Sequence, residues 1–227
     1  PAASTVLPAP QAWRALAALC LGFFMILLDQ TIVAVATPGI MADFGARLDQ
    51  VVWVTSIYLL CLVVPLLFTG RLGDRFGQRT LFRLGVVVFT AAALCSMLAP
   101  TLELLILARA AQGVGAAILT PQTMSVINRV FPRERRGAAL GAWGAVGSVA
   151  SLVGPVLGGF VVGEFGWRGI FMVHLPVGVL AFILAGLWVP RLPTFARHID
   201  RSSVVVSLLG MVAVVVAVQQ GPGLGWP

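Results

Sequence analysis

Long apolar segments make up most of the chain, and short polar segments rich in arginine separate them. Each apolar segment has about 17 to 25 residues, the length that a helix needs to cross the hydrocarbon core of a bilayer. No segment alternates between apolar and polar residues as a half-buried strand does. We therefore predict an all-α integral membrane protein with seven spanning helices, over residues 14–36, 51–70, 80–99, 102–124, 137–161, 169–189 and 203–219.

The composition supports this interpretation. Hydrophobic residues make up 59% of the 227 residues and charged residues only 10%, whereas about a quarter of the residues in a soluble domain are charged. The net charge of +7 comes from arginine, because the chain has no lysine. These arginines lie in short connections between apolar segments, so we expect them to face the anionic headgroups of a lipid bilayer and expect no nucleic-acid partner.

The arginines also predict an orientation. Twelve of the fifteen lie in connections on one side of the predicted spans, and only Arg47 and Arg168 lie on the other. The positive-inside rule then places the N-terminus in the cytoplasm of a multi-pass protein of the cytoplasmic membrane. We divide the chain into a cytoplasmic tail at 1–13, a six-span bundle at 14–189, and a region at 190–227 with a cytoplasmic linker, the seventh span and the start of an outer loop.

The first three spans begin inside and the next three begin outside, so topology predicts two inverted three-helix repeats. Asp29 and Arg109 are the acid and the base that lie well inside these spans. Each lies about 10 Å below the predicted outer edge, on the first helix of its repeat. Matching depth predicts that they face each other as a pair. This pair would either take up and release a proton or act as a static ion pair that fixes packing.

Two further predicted spans have faces of small or polar residues. In the fourth span, Gln112, Gly113 and Thr120 share the face of Arg109, which suits either a cavity wall or a close helix contact. The fifth span carries a face of small residues that favours tight helix packing in lipid. This face consists of Gly141, Gly144, Ser148, Ser151, Pro155 and Gly158. Pro155 is a candidate hinge because it removes a backbone hydrogen bond.

The connection at 70–79 has three glycines, one acid and three arginines in ten positions. Its composition alone is also that of an ordinary arginine-rich turn. The residue order, however, resembles the loop signature of the major facilitator superfamily through Gly70, Leu72, Asp74, Arg75, Gly77, Arg79 and Leu81. We expect this loop to act as a conformational latch that consists of Gly70, Gly73, Asp74, Arg75, Gly77 and Arg79.

Other segments resemble the drug:proton antiporters of that family. Residues 28–38 are similar to the first-helix signature, and residues 109–117 to the fourth-helix motif, whose arginine the family links to proton transfer. The antiporter helix signature is matched by Gly141, Gly154, Pro155, Gly158 and Gly159. Residues 167–178 and 221–226 resemble the branch with fourteen spans. His174 replaces an asparagine usual in that branch, and we interpret it as a packing residue in preference to a titrating one.

This resemblance implies the N-terminal half of a proton-coupled antiporter that exports small amphipathic or drug-like organic compounds. Such a half requires a C-terminal half-bundle as partner, and it uses the proton gradient in place of a cofactor or metal. We expect no enzyme, because the sequence has no nucleophile–base pair, phosphate loop or metal cluster. The alternative is a membrane fragment or structural half that transports nothing by itself.

Overall fold

The computed structural model describes residues 6–194 together with Gly210 and Ala213. Within residues 6–194 the chain is helical and contains no strand, as predicted. The predicted seventh span at 203–219 lies outside the described residues, apart from Gly210 and Ala213. The helices are α1 Ala9–Phe44, α2 Leu48–Val63, α3 Leu66–Phe76, α4 Gln78–Met97, α5 Leu102–Val130, α6 Arg133–Phe165, α7 Gly169–Met172 and α8 His174–Trp188.

Six membrane spans can be formed from these helices. Helices α1, α4, α5 and α6 are each long and apolar enough to cross a bilayer, as is the segment Gly169–Trp188, which combines α7 and α8. Helix α2 and the part of α3 from Phe68 to Phe76 together meet the same criteria, although they are bent by 53°. The described residues therefore have five candidate spans, or six if this bent pair is one span; the six spans expected before residue 190 stay a prediction.

Two details differ from the sequence prediction. The predicted straight span 51–70 is broken at Pro65, which has no N–H group to donate to the preceding helical turn. The predicted loop 70–79 is mostly helical, because α3 continues to Phe76 and α4 begins at Gln78. Gly77 alone separates these helices, with φ +89° and ψ 130°. Residues with a Cβ avoid this conformation, so glycine allows the chain to turn within one residue.

Hydrogen bonds identify the two ends of the bundle. At one end, the N–H of Leu7 donates to the carbonyl of Val130 at 3.1 Å, and Arg129 Nη1 donates to the carbonyl of Pro193 at 2.9 Å. We call this the arginine-rich end. At the opposite end, Trp167 Nε1 donates to Asp43 Oδ2 at 3.1 Å, and Arg168 binds both that carboxylate and the carbonyl of Ala99. Helix termini that are far apart in sequence are therefore joined at both ends.

Helix α6 packs against α1 through small residues, but on a different face from the predicted one. Gly147, Ala150, Gly154 and Gly158 are buried. A Cβ added to Gly154 would overlap the Thr31 hydroxyl, so only glycine allows this close contact. The predicted face is exposed except for Gly158; its exposed members are Gly141, Gly144, Ser148, Ser151 and Pro155. Small residues occur on both faces, and their spacing alone did not distinguish the packed one.

A buried charge cluster as the candidate functional site

An ion pair between α1 and α5 lies in the interior of the bundle. Arg109 Nη1 is 2.7 Å from Asp29 Oδ2 and 2.8 Å from Asp29 Oδ1. Both side chains have 0% of their surface exposed. The pair lies between two apolar clusters: one includes Met25 and Phe89, and the other includes Ile32 and Phe171. The structure therefore brings together the two charges that the sequence placed at equal depth.

Gln112 and the backbone of α2 make further hydrogen bonds with this pair, while Arg109 Nη2 is buried without a partner among the described residues. The amide oxygen of Gln112 accepts from Arg109 Nη1 at 2.8 Å, and its Nε2 donates to Asp29 Oδ1 at 2.9 Å. Arg109 Nε donates to the carbonyl of Val54 at 3.1 Å. Since Gln112 is three residues after Arg109, the α-helical repeat places both side chains on one face of α5. The network thus joins α1, α2 and α5.

Aromatic rings enclose the guanidinium. The Cζ atom of Arg109 lies 4.2 Å from the centre of the Tyr58 ring and 5.9 Å from that of Phe171. A cation over an aromatic face is attracted by the negative π surface, and more strongly where water is excluded. The Tyr58 hydroxyl donates to the carbonyl of Ile26 at 3.4 Å. The rings therefore stabilise the charge and keep its surroundings dry.

His174 at the start of α8 is a further member of the cluster, and the sequence did not predict this position. Its ring is fully buried, with Nδ1 3.1 Å from the carbonyl of Ile170 and Nε2 3.7 Å from Asp29 Oδ1. A carbonyl only accepts hydrogen bonds, so Nδ1 carries the hydrogen and a neutral ring presents the Nε2 lone pair to the carboxylate. In the sequence, histidine at this position replaces the asparagine usual in the fourteen-span branch. That replacement marked the position as unusual, but it did not indicate that His174 contacts Asp29.

The other predicted cavity-lining residues make helix contacts within the bundle. Gly113 lies against α2, where an added Cβ would overlap the carbonyl oxygen of Tyr58 and lie 2.9 Å from Cys61 Cβ. The Thr120 hydroxyl donates to the carbonyl of Ala116 in its own helix at 2.9 Å. Their role in lining a substrate path stays a prediction. In the part of the chain that the structure describes, no three His, Cys, Asp or Glu side chains are arranged to hold a metal ion.

The predicted latch residues surround the junction between α3 and α4. Asp74 Oδ1 accepts from Arg129 Nη2 of α5 at 2.8 Å and from Gln78 Nε2 at 3.1 Å. Neither Arg129 nor Gln78 was among the predicted latch residues. Arg79 donates to backbone carbonyls at the end of α8, whereas Arg75 is exposed and lies 5.4 Å from the Phe76 ring.

The glycines of the predicted latch permit close approach to α5. A Cβ on Gly73 would overlap the side-chain oxygen of Gln122, and one on Gly70 would lie 3.5 Å from Pro121 Cβ. Gln122 Nε2 also donates to the carbonyl of Thr69 at 3.0 Å. Helix α3 is thus held against α5 at Thr69, Gly70 and Gly73. The latch role of these residues stays a prediction.

The predicted hinge residues lie in a helix that is continuous from Arg133 to Phe165. Gly154 and Gly158 face Thr31 and Ile32 of α1, whereas a Cβ added to Gly141 or Gly159 would meet no atom within 4 Å. Pro155 is exposed on the outer side of this helix. Bending at Pro155 during a transport cycle stays a prediction.

Breaking the buried pair should destabilise the bundle. In Asp29→Leu the guanidinium loses its counter-charge, and we expect a loss of about 3–5 kcal/mol in the free energy of unfolding. The double variant Asp29→Leu/Arg109→Leu removes both charges and should lose less than either single variant. Thermal unfolding of the purified protein in detergent measures this. Asp49→Leu is the control, because its ion pair with Arg47 is largely exposed. Additive losses in the double variant would contradict this expectation.

Comparison with known proteins places this architecture in a family. Residues 19–219 match the profile of the Major Facilitator Superfamily. The chain is 52% identical over 214 residues to an uncharacterised MFS-type transporter of Mycobacterium tuberculosis, and the alignment covers 94% of this chain and 37% of the relative. It is 38% identical over 182 residues to the riboflavin transporter RibZ of Clostridioides difficile, and the alignment covers 80% of this chain and 40% of that relative.

A third relative is the tetracenomycin C resistance and export protein of Streptomyces glaucescens, 35% identical over 217 residues, with coverage of 94% of this chain and 40% of the relative. The chain thus spans about two fifths of the length of these relatives. The fold resembles that of the proton:xylose symporter XylE, with a TM-score of 0.71 at 14% identity over 93% of this chain and 50% of that one. On the family profile and the shared fold, the chain belongs to the major facilitator superfamily.

Proposed function

We propose that this chain is the N-terminal half of a proton-coupled antiporter that exports small amphipathic organic compounds across the cytoplasmic membrane. The observation that carries the proposal is the cluster of Asp29, Arg109 and Gln112, in which a carboxylate capable of holding a proton is buried among apolar helices. The relative named for tetracenomycin C resistance and export favours export of small organic compounds. The excess of arginines at the arginine-rich end supports a cytoplasmic location for that end.

Proton binding at this cluster would change how three helices hold together. In the ionised state, Asp29 accepts hydrogen bonds from Arg109 and Gln112. A proton on the carboxylate removes its charge, and the attraction to the guanidinium then weakens sharply because the surroundings exclude water. Arg109 keeps its bond to the α2 backbone, so the contact between α1 and the other two helices is the one that loosens. Exchange of a proton for a cationic substrate needs no covalent chemistry.

His174 supplies a second atom for the same proton. With Nδ1 bonded to Ile170, the Nε2 lone pair and the Asp29 carboxylate are two electron-rich groups 3.7 Å apart. A proton on either group converts their repulsion into attraction. We therefore include His174 in the proton path, where it would share the proton with Asp29.

The central test is Asp29→Asn in the full-length protein. An amide cannot gain or lose a proton at this site, so export driven by a pH gradient should fall to background while substrate binding is retained. Efflux from proteoliposomes against a panel of organic compounds measures transport, and fluorescence titration measures binding. Proton-driven export that survives in Asp29→Asn would refute the coupling role.

The matched variant His174→Asn removes the imidazole and leaves the Asp29–Arg109 pair in place. Coupled export should persist with a changed dependence on pH. An unchanged pH profile would exclude His174 from the proton path without affecting the role of Asp29.

The alternative is a structural half in which the pair only fixes packing. It is favoured by the complete burial of both side chains. This alternative predicts that Asp29→Leu/Arg109→Leu retains transport once the protein is folded, whereas the coupling mechanism predicts none. The same reconstitution assay therefore distinguishes the two.

The partner of this half would be a second helical bundle in the same protein. The exposed face of α6, with Gly141, Gly144 and Ser148, supports this proposal because small residues let helices approach closely in lipid. The length of the relatives supports it as well, because this chain spans about two fifths of it.

Two neighbouring glycines test the contact with that second bundle. An added Cβ meets nothing within 4 Å at Gly144, whereas at Gly147 it would lie 2.9 Å from both Leu27 and Phe23. Gly144→Leu should leave thermal unfolding of this half unchanged but reduce transport by the full-length protein several-fold. Gly147→Leu should destabilise the bundle by about 1–3 kcal/mol through overpacking. Full transport in Gly144→Leu would show that this face is not the contact.

We also propose that the Asp74–Arg129 ion pair acts as the latch, opening and closing during transport. The Asp74 side chain is about 30% exposed, so its replacement should affect folding little. Asp74→Asn should lower the transport rate while membrane insertion and thermal stability stay near those of the parent protein. Asp49→Asn, which alters another ion pair, is the control. A parental transport rate in Asp74→Asn would reject the latch.

A further inference from the structure

A cavity of about 390 Å³ opens between α4 and α8 at the arginine-rich end. Three arginines line it, Arg79 and Arg83 from α4 and Arg191 from the segment after α8, together with Thr80 and Phe182. Among the described residues no carboxylate lines this cavity. Three like charges at one site repel each other, so an anion that binds there would gain attraction from all three.

The guanidinium groups are arranged to receive such an anion. Arg79 is held by its hydrogen bonds to the carbonyls of Gly186 and Val189, which use two of its five N–H donors and bring no counter-charge from the described residues. Arg83 lies 4.0 Å from the Phe182 ring centre. Its Nε is buried and has no hydrogen-bond partner among the described residues. Arginine recognises phosphate through several donors in one plane.

A second cavity of about 300 Å³ continues from the first along the groove between the same helices. The two cavities share Val87 and Phe182, and the second one is otherwise lined mainly by apolar side chains such as Leu94 and Val179. The helical rise places Leu94 about 16 Å from Arg83 along α4. That distance is close to half the ~30 Å thickness of the hydrocarbon core, which is the depth of one lipid leaflet.

We propose that the two cavities form one binding site for an anionic phospholipid. The phosphate group would bind Arg83 and Arg191 in the field of Arg79, and an acyl chain would lie in the apolar groove towards Leu94. Inorganic phosphate could use the arginines alone, but the continuous groove of leaflet depth favours the lipid. By contacting both walls, the lipid would link α4 to α8. This site is separate from the proposed proton exchange and does not depend on it.

Native mass spectrometry of the full-length protein tests the site. The detergent-purified protein is titrated with phosphatidylglycerol and with phosphatidylcholine of the same chain length. We expect phosphatidylglycerol to bind more tightly, and Arg83→Gln/Arg191→Gln to weaken its binding by about tenfold, as for a lost hydrogen bond to a charged group. Arg135→Gln, an exposed arginine at the same end, is the matched control and should bind as the parent does. Equal binding of phosphatidylglycerol by the double variant would overturn the proposal.

Two further measurements test whether the ligand is a lipid or a simple anion. Inorganic phosphate at millimolar concentration should not displace long-chain phosphatidylglycerol, and a six-carbon-chain analogue should bind at least tenfold more weakly than the long-chain lipid. Displacement by phosphate, or equal binding of both chain lengths, would reduce the site to an anion site and reject the lipid. If the double variant does not fold, Arg191→Gln alone, at an exposed position, should still weaken binding, and no change in it would overturn the proposal.

Discussion

The fold depends on satisfying two charges at a depth where water cannot reach them. An unpaired charge in a low-dielectric interior costs several kcal/mol, so Asp29 and Arg109 require each other and also require further donors and acceptors. Gln112 and the carbonyl of Val54 supply some of these, although Arg109 Nη2 has no partner among the described residues. Asp29, Arg109, Gln112 and the Val54 carbonyl come from α1, α2 and α5. Their hydrogen bonds therefore fix how these three helices are rotated relative to one another, which apolar packing in lipid does not do.

Glycine makes this convergence geometrically accessible. Near the charged side chains the helix backbones are close, at Gly113 against the carbonyl of Tyr58 and at Gly154 against Thr31. The first contact joins α5 to α2 and the second joins α6 to α1. Small residues and buried charges act together in this bundle. The small residues set the distances between helices, and the contacts of the buried charges set how the helices are aligned with one another.

The sequence predicted those features that depend on position along one helix. Counting residues from the span ends gave Asp29 and Arg109 the same depth, and a spacing of three placed Gln112 beside Arg109. Contacts that depend on rotation between helices were not accessible in this way. His174 reaches Asp29 because α8 presents that side chain inward, and Asp74 pairs with Arg129 because α3 lies against α5.

The differences between the sequence prediction and the structure have similar physical origins. Gly144 and Gly147 are equally small, and only the neighbouring side chains of α1 determine which one is buried. The break at Pro65 follows from a missing backbone donor and was open to prediction, whereas the extent of α3 was not. Three glycines in ten residues are typical of a loop, but in this protein two of them permit close helix packing and only Gly77 makes the turn.

The charge cluster is enclosed by the helices of this single bundle. The helices of this bundle are sufficient to leave neither the carboxylate nor the guanidinium with any exposed surface. A rigid rocking movement between two halves of a transporter would therefore leave Asp29 as inaccessible as before. Under the proposed coupling, a proton would reach Asp29 through a transient separation of helices within the bundle. The opening of the α1–α2–α5 contact would then be a kinetic step of its own, with a rate set by internal packing.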